Sequence, residues 1–99
     1  MILHIEQVKY LGDYKIWLAF NNGITGCCDL LPELWGEMFE PLKDKDLFST
    51  IKVDSLLKTV KWNNGADFAP EFLFELTQQQ AAAKLEQAKQ QVEKLILGE

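Results

Sequence analysis

Between positions 14 and 20 the chain alternates, with Tyr14, Ile16, Leu18 and Phe20 in one phase and Lys15, Trp17 and Ala19 in the other. That period of two predicts a strand with one face in the core, and Trp17 predicts partial cover on the second face. The stretch from Ile2 to about Tyr10, with β-branched Ile2, Ile5 and Val8, reads as a preceding strand, and Gly12-Asp13 as the turn between the two. Asn21-Asn22-Gly23 supplies residues that tolerate positive φ and so closes a hairpin, from which Ile24 to Asp29 returns as a third strand. These elements predict an antiparallel meander.

The pattern then changes. Leu30 to Phe39 reads as a short helix, with Pro32 in its first turn, Asp29 as its cap, and Leu31, Leu34, Trp35 and Met38 on one side. Gly36 weakens that helix and Pro41 ends it. Leu47, Phe48, Ile51 and Val53 lead into a strand around Thr50 to Asp54, and a turn over Ser55 to Leu57 joins it to a strand from Lys58 to Trp62. Pro70 to Leu97 is rich in Ala, Gln, Glu, Lys and Leu, contains no Gly or further Pro, and stops at Gly98, which predicts one long helix. The expected class is α+β: a small twisted antiparallel sheet, made of a meander plus a hairpin, with one short helix and a long C-terminal helix.

Composition narrows the function classes. Ninety-nine residues, 47% of them hydrophobic, suffice for one small domain. The formal charge is −5 and all ten basic residues are lysine. Nucleic-acid readers rely on basic patches and the arginine fork, so the expectation is no nucleic-acid partner. Residues 1–75 hold twelve acids and seven lysines, while 76–99 hold three of each, so the acidity belongs to the β-rich part. No apolar run suits a signal peptide or a membrane span, which predicts a cytoplasmic protein with no membrane contact. Adjacent Cys27 and Cys28 point to opposite faces of a strand and read as free thiols in a reducing compartment. Together with the distant His4 they do not make a metal set, so neither a metal nor a cofactor is expected.

The block from Trp62 to Leu73 carries the densest local information. Asn64-Gly65 makes a tight turn, Trp62 ends a strand against the core, and Pro70 opens the helix, with Asp67 free to cap it through the N–H of Ala69. In a functional reading the same Trp62, Asn64, Asp67 and Glu71 line a recognition surface or a pocket. These residues resemble a bacterial family known as domain of unknown function 2442. The resemblance is carried by Phe20-Asn21-Asn22-Gly23, Asp29-Leu30, Pro41-Leu42 with Phe48, Trp62-Asn63-Asn64-Gly65-Ala66-Asp67 and Pro70-Glu71, over residues 1 to about 75. It implies a compact α+β module on 1–75, with 76–99 continuing the helix, and no established activity or cofactor. In some members a helix-turn-helix follows the module; others are encoded beside a second small protein in an arrangement like a toxin–antitoxin pair. Here Thr77 to Glu99 departs from the DNA-binding pattern, as one Ala/Gln-rich helix without a turn or a basic recognition helix.

Two further surfaces are candidates. Glu33, Glu37 and Glu40, spaced four and three apart, would present three carboxylates on one side of a helix, either as an ordinary solvated face or as a dock for a small basic protein. Ala81, Leu85, Ala88, Val92 and Leu95 form a seam that joins two chains as a homodimer or packs on the chain's own sheet. No serine or cysteine motif of nucleophilic type accompanies His4, and the glycines lack the lysine and helix of a phosphate loop. The expectation is a non-enzymatic protein-interaction module, antitoxin-like or accessory. The alternative is a small-molecule-binding domain or weak enzyme with a pocket near Trp62 and Asp67.

Overall fold

A computed structural model describes residues 2–96, and side-chain surroundings through 90. Strands β1 (Ile5–Gly12), β2 (Lys15–Phe20) and β3 (Thr25–Asp29) form an antiparallel sheet in the order β1-β2-β3. The alternation in β2 does what its period requires. Ile16, Leu18 and Phe20 are buried, while Lys15, Trp17 and Ala19 face the other side. Register shifts between Ile5 and Gln7 and between Tyr10 and Gly12 let β1 present Ile5 and Val8 to the same core despite its irregular pattern. The meander ends at Asp29 as expected, but β1 begins at Ile5 rather than Ile2 and runs on to Gly12.

The expected helix over residues 30–39 does not form. A 3-10 turn, Leu31–Glu33, takes its place, with the Asp29 carboxylate accepting the Leu31 N–H at 3.0 Å. Gly36 then adopts φ +87°, a left-handed conformation incompatible with helix continuation, and the chain turns there. A second 3-10 turn, Glu40–Lys43, leads into α1 (Lys45–Phe48), which Asp44 caps through the Asp46 N–H. A two-stranded hairpin follows, β4 (Lys52–Asp54) and β5 (Thr59–Lys61), its turn held by the Asp54 carboxylate accepting the N–H groups of Leu56 and Leu57.

The long helix α2 (Pro70–Ile96) is continuous. Its first two turns place Leu73, Leu76 and Thr77 in the core, and Thr77 lies against Gly26 of β3 at a distance that leaves no room for a β-carbon. Beyond Gln80 the described part of the helix is exposed, Ala81, Leu85 and Ala88 included; the side chains of Val92 and Leu95 lie outside the described residues. The core gathers Ile16, Leu18, Leu30, Leu34, Leu42, Phe48, Val60, Trp62 and Leu73, all at most 1% exposed. It sits between the inner face of the meander, the hairpin and the start of α2. No described helix is long and apolar enough to cross a membrane.

Candidate functional site

Trp62 has no exposed surface, and its indole N–H donates to the Phe48 carbonyl at 3.0 Å. Its neighbour in the turn, Asn64, does two things at once. The side-chain oxygen accepts the Ala66 N–H at 3.1 Å, fixing the turn, and the side-chain N–H donates to the Met38 carbonyl at 3.0 Å. The Trp62–Asp67 block therefore clamps the segment around Gly36 onto the core. Asp67 is exposed and bridges antiparallel to Lys61, and Glu71 is exposed on the first turn of α2.

The clamped segment forms one wall of an open groove of about 570 Å³. Trp35, Met38 and Phe39 line it from one side, Phe68 and Phe72 from the other, and Glu33 and Glu37 stand among them. Three of the rings are stacked: Phe39 on Phe68 at 4.4 Å between centroids and 15° between planes, Phe68 on Phe72 at 5.2 Å and 22°. Trp62 meets Phe68 edge-on at 5.8 Å, which ties the stack to the core. The outer members are uncovered. Trp35 is 70% exposed, Met38 47% and Phe72 37%. A smaller cavity of about 140 Å³ adjoins, sharing Glu33 and Phe72 and adding Glu75 and Gln79. Among the described residues no lysine lines either space.

The three glutamates are not arranged as the sequence suggested. With no helix through residues 30–39, Glu33 and Glu37 reach the groove, whereas Glu40 opens the second 3-10 turn and pairs with Lys43 at 3.2 Å. Trp35 and Met38, expected on the apolar side of that helix, are instead surface residues. Phe68 and Phe72 lie outside the sequence-based expectation; their spacing of four across the start of α2 is the signal that points to them.

Other candidate groups are placed apart. His4 lines a cleft of about 370 Å³ with Glu6, Asn21, Ser55 and Lys58, and its backbone N–H and carbonyl both bond Asn21. Cys27 is exposed and Cys28 buried, and burial pushes the Cys28 thiol up to about 11. Among the described residues no group of three or more His, Cys, Asp or Glu is gathered as a metal site would need. On the open face of the meander, Lys9 stands over the Trp17 ring at 5.1 Å from its centroid, with Lys15 two residues from Trp17 on the same face.

Comparison with known families now adds to this geometry. The family described as protein of unknown function (DUF2442) matches residues 5–79. The chain belongs to the DUF2442 family. No curated protein matches it. Among solved structures, this DUF2442 chain is similar to the crystal structure named Putative DNA Binding Protein NE0471, from Nitrosomonas europaea ATCC 19718, with a TM-score of 0.65 and 16% identity. The match covers 83% of this chain and 53% of that one, so the chain spans about half the length of its structural neighbour. At that identity the likeness is one of fold.

The neighbour's name corrects the expectation of no nucleic-acid partner. That expectation rested on net charge and the lack of arginine, both averages over the chain. Phosphate contact is decided by the local placement of cations, and lysine serves as a point charge for it. The comparisons identify no protein partner and no second copy for the chain.

Proposed function

We propose that this DUF2442 chain is a protein-interaction module that docks a segment of another protein in the aromatic groove, in an accessory or antitoxin-like role and without enzymatic activity. The observation that carries the reading is Trp35, 70% exposed at the edge of an apolar groove that also uncovers Met38 and Phe72. Contiguous apolar surface of this kind marks interaction sites, and tryptophan is the residue type most enriched where interfaces concentrate their energy. Glu33 and Glu37 favour a positively charged segment and would speed its encounter. Asn64 and Trp62 serve as the scaffold that holds the groove wall, while Asp67 and Glu71 are exposed next in sequence to the groove residues Phe68 and Phe72. Past Gln80, the exposed Ala81, Leu85 and Ala88 leave a helical face for extending the contact or for helix pairing.

A peptide library displayed on phage and selected on the intact chain tests this. Selected peptides should carry an aromatic or aliphatic anchor beside positive charge. They should lose about tenfold or more in affinity on Trp35→Ser, with the circular dichroism unchanged. Peptides that bind the Trp35→Ser chain equally well would remove the reading. The alternative, a small-molecule-binding domain or weak enzyme with a pocket near Trp62 and Asp67, would have to use side chains other than Trp62, which is wholly buried.

A second reading, DNA binding, is favoured by the fold shared with the Nitrosomonas europaea protein and by Lys9 and Lys15 around Trp17. It predicts binding of a DNA oligonucleotide that weakens steeply with salt and with Lys9→Ala, followed by fluorescence anisotropy.

A further inference from the structure

We propose that the groove recognises an arginine side chain of the docked protein, its guanidinium lying over Phe72 and Trp35 and its N–H groups turned to Glu33 and Glu37. The inference rests on the reading of the groove as a protein-docking surface and names the chemistry of the anchor. The stack of Phe39, Phe68 and Phe72 ends at a ring that is 37% exposed, and a flat group suits its continuation. An incoming aromatic ring would satisfy that geometry but leave Glu33, Glu37 and Glu75 without a counter-charge. A lysine ammonium can sit over a ring, as Lys9 does over Trp17, but it is a hydrated point charge that cannot stack flat and fork to carboxylates at once. Guanidinium does both, stacking on aromatic rings and forking to carboxylates.

The chain's own cations do not fill this role. Lys43 pairs with Glu40 and Lys45 with Asp13, and among the described residues no lysine lines the groove or the cavity beside it. The chain also contains no arginine, so a second copy of it cannot supply the guanidinium. The anchor therefore comes from outside these 99 residues.

Titration of the isotope-labelled full chain with N-acetyl-arginine methylamide, and with its lysine and citrulline counterparts, separates the cases. The Trp35 indole N–H, told apart from those of Trp17 and Trp62 by substitution, is the readout. The arginine derivative should shift it saturably and bind about fivefold or more tightly than the lysine derivative, and neutral, flat citrulline should give no saturable shift. The double change Glu33→Gln and Glu37→Gln should remove the arginine preference while the spectrum stays dispersed. Equal responses to the three derivatives, or no response at Trp35, would overturn the inference. If library peptides lose affinity on Trp35→Ser yet show no arginine preference, the arginine anchor falls and the docking surface stands. If they ignore Trp35 altogether, both fall.

Discussion

Gln80 closes both free backbone groups of Asp29: its side-chain oxygen accepts the Asp29 N–H at 2.8 Å and its side-chain N–H donates to the Asp29 carbonyl at 2.9 Å. A side-chain amide thus takes the place of the next strand at the end of β3, an outer strand of the meander. It also marks where α2 stops packing on the sheet. Replacing Gln80 with leucine leaves two half-buried backbone groups without those partners. The expected cost is about 1–3 kcal/mol in urea unfolding, with a greater tendency to aggregate through the opened edge.

Gly26 and Thr77 form a second fixed contact between β3 and α2. A β-carbon at Gly26 would stand 2.4 Å from the Thr77 methyl, so Gly26→Ala should destabilise by about 1–3 kcal/mol. Thr77→Ser removes the methyl and should restore part of that loss. The double mutant measured by denaturant unfolding would then be more stable than the two single changes sum to.

Among the described residues the buried Thr77 hydroxyl meets no oxygen or nitrogen partner, only the weakly bonding thiol of Cys28. Thr77→Val keeps the shape and removes this poorly partnered oxygen. Stability should be unchanged or rise by up to about 1 kcal/mol, read from the same unfolding curves.

The two adjacent cysteines should behave oppositely. In the native chain, a thiol reagent at pH 8 should modify Cys27 alone, and both thiols should react in denaturant. Burial raises the folded Cys28 thiol to about 11, above its ordinary 9.0, so between those values the unfolded chain holds fewer protons than the folded one. The contribution of Cys28 to stability is therefore intact below pH 9 and is lost as pH climbs toward 11. Cys28→Ala should abolish that part of the pH dependence.

The regular elements were legible because their patterns are local. Alternation from Tyr14 to Phe20 gave β2, Asn21-Asn22-Gly23 gave the hairpin, and the Gly- and Pro-free run after Pro70 gave α2. The segment from Leu30 to Phe48 was not legible, since its outcome turns on Gly36. Read as a tolerated glycine within a helix, Gly36 puts Trp35 and Met38 on a packed face. Adopting φ +87°, it ends the turn and sends both to the surface. The groove depends on that one backbone conformation and on a hydrogen bond from Asn64 to Met38, 26 residues away, which no local pattern reveals. The backbone duties assigned to Trp62 and Asn64 do occur. Their further effect, holding the groove wall, needed the three-dimensional contact.

The central claim is that the uncovered aromatic groove binds a protein segment. Its most direct measurement is the calorimetric dissociation constant of a library-selected peptide for the intact chain, for Trp35→Ser and for Phe72→Ser. We expect both substitutions to weaken binding by about tenfold or more while the circular dichroism of the folded chain is retained. An undiminished affinity in both would contradict the account.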